Sequence, residues 1–178
     1  MTEILQEKWM KGVAVTTTCL AVLTAIAAAR GAACGAKTQL LTALESSKWA
    51  YYQAKSIKQN LAESQKNAFE VEALGAIADA QKSLFAEKIK TVTADITRYD
   101  AEKNQIKKDA EDTAALNKLL TKKGNFFSAS MIFFQIGIML SSVSALLKKK
   151  FMWIVGLVFG VIAVVLLGYG LFLLPLLF

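Results

Sequence analysis

Two uncharged runs, residues 126–147 and 151–178, are separated only by Lys148, Lys149 and Lys150. A helix needs about 20 mostly apolar residues to cross roughly 30 Å of hydrocarbon, and each run meets that length. They read as a transmembrane hairpin with a tight basic connection. The chain's only proline, Pro175, sits where the last helix can end. A third apolar stretch, residues 13–29, is rich in Ala and carries Thr16, Thr17 and Thr18. Its rival reading is a secretory signal, with Lys8 and Lys11 as the basic n-region. A lipoprotein signal ending at Cys34 fits less well, because Gly31, Ala32 and Ala33 lack the large apolar residue such a signal uses. We expect a retained span over residues 9–33, with Arg30 snorkelling to the interface.

Short loops orient such a chain. Lys8, Lys11 and the Lys148–Lys150 loop are expected on the cytoplasmic side of the membrane. Three spans then place residues 37–123 in the periplasm.

That middle segment is charged, with 15 Lys and Arg against 12 Asp and Glu. The net charge of the whole chain is +7, but here the two signs interleave. Interleaving fits a solvated helix face better than a nucleic-acid surface, so no nucleic-acid partner is expected. Between Gly35 and Gly124 the only glycine is Gly75, and there is no proline. Long helices follow. A 3,4 spacing runs from 43 to 120 through Ala43, Ala50, Ala54, Ile57, Leu61, Ala68, Val71, Ala78, Phe85, Ile89, Val92, Ile96, Tyr99, Ile106, Ala110 and Leu120. Ser47, Ser64, Lys82, Lys103 and Asn117 interrupt it with polar groups. It resembles a coiled-coil seam.

A chain that leaves and re-enters one membrane face must fold back, and Gly75 is the best place. The expected fold class is therefore an all-α membrane protein. Its three transmembrane helices carry a long antiparallel, coiled-coil-like extramembrane hairpin between the first and second. The parts are residues 1–36, 37–123 and 124–178. A turn at residues 91–95, with Thr93 as a helix cap, is the alternative.

Histidine is absent, and Cys19 and Cys34 are the only cysteines. No metal or other cofactor is expected, and the usual general base is missing. Cys19 reads as a small buried hydrophobe, while Cys34, near a span boundary, leaves an intersubunit disulfide open.

Two blocks stand out: Trp49-Ala50-Tyr51-Tyr52-Gln53-Ala54-Lys55-Ser56-Ile57-Lys58-Gln59, and Arg98-Tyr99-Asp100-Ala101-Glu102-Lys103. With the flanking spans, the chain resembles small bacterial membrane proteins of domain-of-unknown-function family 4337. The resemblance covers nearly the whole chain. It implies bacterial origin and membrane location, and brings no catalytic residues. A hairpin folded about Gly75 and Ala76 sets Tyr52 beside Asp100, Lys55 beside Thr97 and Arg98, and Trp49 beside Lys103. Trp49, Tyr51, Tyr52, Lys55, Arg98, Tyr99 and Asp100 then form either a stem clasp or an exposed aromatic and basic patch.

Helices in lipid associate through small residues. The first span offers Thr17, Ala21, Ala25, Ala29 and Ala33, the second Gly137, Ser141 and Ala145, and the third Gly156 and Gly160. We expect the first span to be buried by other helices and the chain to form a homo-oligomer in the bilayer. The favoured function is a non-enzymatic envelope scaffold. The alternative is a pore, with Thr16, Thr17 and Thr18 lining the path.

Overall fold

A computed structural model describes residues 2–75 and 77–172, with side chains from Trp9 onward. Ala76 and Pro175, to which the sequence assigns a turn and a helix end, lie outside the described residues. So does the last part of the expected span ending at Phe178.

The described residues are helical almost throughout: α1 is Thr2–Gly75, α2 is Asp79–Leu147 and α3 is Lys150–Phe172. All three contain a stretch long and apolar enough to cross a membrane. Gly31, Gly35 and Gly124 interrupt neither α1 nor α2. The separate spans and stem arms expected from the sequence therefore share their helices. One glycine costs only about 1 kcal/mol in a helix, too little to break one with long helix-forming flanks.

The chain divides into two compact units, Leu40–Leu116 and Met1–Gln39 with Asn117–Phe178. In the first, α1 ends at Gly75 and α2 begins at Asp79. The carbonyl of Ala78 accepts from the amides of Gln81 at 3.0 Å and Lys82 at 3.2 Å. Asp79 places a negative charge in the first turn of α2, where the helix dipole favours it. The turn considered at residues 91–95 does not form. Thr91 and Thr93 lie within α2, and their hydroxyls donate to the carbonyls of Glu87 (3.0 Å) and Ile89 (2.7 Å).

The two arms pack through 3,4 stripes, but the stripes differ from those expected. On α2 the covered positions run from Phe85, Ile89 and Val92 to Ile106, Ala110 and Leu120, as the spacing predicts. On α1 they are Leu41, Glu45, Lys48, Tyr52, Lys55, Gln59, Ala62, Lys66, Phe69 and Ala73. The expected α1 members lie two residues away, on nearly the opposite face. All of them are exposed, including Ile57 at 67%, Leu61 at 59% and Val71 at 69%. The seam does not run through the turn in one phase, because the non-helical Ile77 and Ala78 reset the helical register. The stems of Lys48, Lys55 and Lys66 provide apolar cover where α1 has no large aliphatic residue.

In the second unit the core is written in sevens. α1 buries Val13, Leu20, Ala27 and Cys34, and α2 buries Leu120, Phe127, Phe134 and Ser141. α3 buries Gly156, Gly160, Ala163, Leu167 and Gly170. α2 and α3 approach most closely at Gly137 and Gly156, where a Cβ on either glycine would lie 2.9 Å from the other's carbonyl oxygen. The α2–α3 connection is a Schellman turn, in which the Lys149 amide donates to the Ser144 carbonyl at 3.2 Å. The Ser144 hydroxyl donates to the Lys149 carbonyl at 2.9 Å. Lys148 takes the left-handed conformation, with φ 52°.

Two expectations follow for thermal unfolding in detergent. Gly156→Ala and Gly137→Ala each lower the melting temperature, at an overpacking cost of about 1–3 kcal/mol. Gly168→Ala, whose Cβ meets nothing within 4 Å, leaves it unchanged or raises it. At Lys148, substitution by Gly is stabilising and by Val destabilising, because a β-branched residue tolerates the left-handed region worst.

Candidate functional site

The two motif blocks meet, with a register displaced from the one expected. Lys55 stands at the centre, and its side chain is only 14% exposed. Its ammonium pairs with the carboxylate of Glu102. It also lies 5.4 Å from the ring centroids of both Tyr51 and Tyr99. Lys55 thus finds Tyr99 and Glu102, rather than Thr97 and Arg98, because the reversal occupies the residues after Gly75 instead of pivoting on Gly75 and Ala76.

The neighbours follow the same displacement. Lys103 lies 5.4 Å from the Tyr52 ring centroid and donates to Gln59 Oε1 at 2.9 Å. Trp49 packs edge-to-face on Tyr52, with centroids 5.6 Å apart. Arg98 lies 5.0 Å from the Tyr99 ring, 2.9 Å from Asp95 and 3.9 Å from Glu102. Asp100, expected beside Tyr52, is exposed and accepts from Asn104 of its own helix at 3.3 Å. Immediately before the first block, Lys48 crosses to α2 and donates to Thr113 Oγ1 (2.7 Å) and the Asp109 carbonyl (2.9 Å).

Sequence reasoning missed Glu102 and Lys48 as cross-helix partners. Glu102 sat inside a quoted block, and a register one turn further along would have found it. The Glu102 carboxyl is held below the usual carboxylate range, first by the hydrogen bond from Lys55. The same pairing pushes Lys55 up. The arrangement can order two helices side by side. It presents a carboxylate already neutralised by a lysine, and no group poised as nucleophile and base.

The expected helix-packing residues divide. Gly137, Ser141, Gly156 and Gly160 are all buried at the α2–α3 approach or against Leu20. The Ser141 hydroxyl makes no hydrogen bond among the described residues. Ala21, Ala25, Ala29 and Ala33 are exposed. Within one chain, α1 buries Val13, Leu20, Ala27 and Cys34, and Val15, Val22 and Ile26 are exposed along with that alanine face. Cys34 is buried, while Cys19 is exposed rather than buried.

The threonines expected to line a pore turn back on their own helix. Thr16 donates to Gly12 O (2.9 Å), Thr17 to Val13 O (2.8 Å) and Thr18 to Ala14 O (3.0 Å). Thr16 also accepts from the Trp153 indole at 3.1 Å. Among the described residues, no group of three or more His, Cys, Asp or Glu is placed to hold a metal ion.

These features define an all-helical protein with three helices apolar enough to cross a membrane and two long helices clasped by a charged aromatic seam. The chain belongs to the family described as Domain of unknown function (DUF4337), whose model matches residues 9–173. No curated protein and no solved structure matches it.

The clasp makes a signed prediction about pH. A depressed Glu102 contributes stability above its ordinary value of about 4.3, and loses it as pH falls through the lower folded value. A raised Lys55 contributes below about 10.4 and loses it as pH rises through the higher folded value. Glu102→Gln should therefore lower the melting temperature by a constant amount between about pH 6 and 9, with the difference closing below about pH 4. Adding Lys55→Met should recover part of the loss, since a half-buried lysine then no longer lacks its counter-ion.

Proposed function

We propose that the chain is a non-enzymatic integral membrane protein of the bacterial inner membrane. Copies associate through the hairpin into an envelope scaffold. In this reading Lys8, Lys11 and the Lys148–Lys150 loop face the cytoplasm, and the hairpin faces the periplasm.

One observation carries the reading. α1 bears two 3,4 stripes on opposite faces, and α2 covers only one. The uncovered stripe comprises Ala43, Ser47, Ala50, Ala54, Ile57, Leu61, Ser64, Ala68 and Val71, and none of these residues is charged. It spans four heptads, enough for a coiled-coil partner.

A second copy fits this stripe in parallel alignment, the alignment that insertion in one membrane imposes. Ile57, Leu61 and Val71 then meet their own counterparts. Parallel pairing sets Gln53 opposite Lys58 and Asn67 opposite Glu72, so no like charges face each other. The many Ala and Ser positions make the seam weak per residue. Confinement of both copies to one membrane raises their effective concentration and offsets that weakness. A pore gains no support, because the hydroxyls of Thr16, Thr17 and Thr18 are already bonded to their own helix.

Mass measurement of the full chain in mild detergent tests this. The native chain is expected to be dimeric or larger, and Ile57→Glu with Leu61→Glu monomeric at unchanged helicity, since both residues are exposed. A native chain that is already monomeric, or a double variant that stays assembled, refutes the role given to this stripe.

A further inference from the structure

Near one end of the apolar part of α1 lies a cleft of about 240 Å³ lined by Arg30 and Lys37 of α1 and Lys123 of α2. Its lining also includes Cys34, Leu120 and Phe127, which are all buried. Arg30 and Lys37 are two helical turns apart and share a face of α1. The lining thus joins three cations to an apolar floor. No Asp or Glu occurs in residues 9–39 or 117–172, so the charged side chains of those stretches, Arg30, Lys37 and Lys123 among them, are all basic.

We propose that this cleft binds the phosphate of an anionic lipid headgroup. The proposal rests on the membrane reading above and adds a ligand to it. The uncharged part of α1 stops at Arg30 and that of α2 starts after Lys123, so the cleft sits where apolar helix gives way to charge. Headgroup phosphates lie at that depth. Arg30 supplies a planar guanidinium fork suited to phosphate oxygens. Each lysine brings a full charge and three N–H donors, so a bond to a protein group leaves donors for a ligand. The apolar floor suits the first carbons of an acyl chain and disfavours a fully hydrated anion. Basic pockets between membrane helices hold lipid headgroups in this way.

Native mass spectrometry of the full chain, delipidated in mild detergent and titrated with phosphatidylglycerol or phosphatidylcholine, tests the proposal. Phosphatidylglycerol should be retained, and phosphatidylcholine should be retained at least tenfold more weakly. The triple variant Arg30→Gln, Lys37→Gln, Lys123→Gln should lose roughly tenfold to a hundredfold in phosphatidylglycerol affinity with helicity intact. Lys90→Gln, Lys107→Gln, Lys108→Gln makes the same charge change in the other unit and should lose nothing.

Equal loss in both triple variants, or equal retention of the two lipids, overturns the site. Inorganic phosphate at millimolar concentration should not displace the lipid; if it does, the ligand is a soluble phosphate and the lipid assignment fails. Failure of the membrane reading itself shows separately, as a chain that leaves the membrane fraction under an alkaline wash.

Discussion

The hairpin depends on one constraint: how the chain reverses between Gly75 and Asp79. Two helices of this length have few ways to lie side by side once so short a link joins them. The link sets which residue of α1 meets which residue of α2, and which face α1 turns inward. The clasp, the exposed stripe and the displaced register are all consequences of that phase. It places Phe69 beside Phe85, Lys55 beside Tyr99 and Glu102, and Lys48 beside Thr113.

The inward face of α1 is an unusual lining for a two-helix stem. It carries Glu45, Lys48, Lys55, Gln59 and Lys66 where a simple coiled coil would carry Leu or Ile. The lysines work because their stems cover the aliphatic stripe of α2 while their heads find oxygen or aromatic partners. Such a seam specifies register more than it adds stability. A slip by one turn would strand Lys55 away from Glu102, and breaking a half-buried pair costs more than forming it gains. The apolar stripe, which adds stability without specifying register, is left on the outside. That division of labour is the physical basis for assigning the outer stripe to a second copy.

Much of this was legible in the residues. The lack of breakers between Gly35 and Gly124 dictates helix, and Gly75 marks its end. The spacing from Phe85 to Leu120 identifies the packed face of α2, and Gly137, Ser141, Gly156 and Gly160 identify the close approach of α2 and α3. Three features were not legible. Periodicity alone cannot choose between two stripes on one helix, and the turn that decides carries no strong signature in Leu74-Gly75-Ala76. The partner of Lys55 depended on that same phase, so Glu102 was passed over for Thr97 and Arg98. In α1, small residues at four-residue spacing suggested packing at Ala21, Ala25 and Ala29, yet Leu20, Ala27 and Cys34 face the core.

Distance measurement between copies addresses the central claim most directly. A single spin label at Leu61, in the full chain reconstituted into lipid, reports whether the outer stripe of α1 meets itself. The account expects a short, narrow distance between copies for a label there, and a longer one for a label on the opposite, exposed face of α2. An absence of dipolar coupling at Leu61, or equal distances from the two faces, would contradict the assignment of that stripe to a second copy.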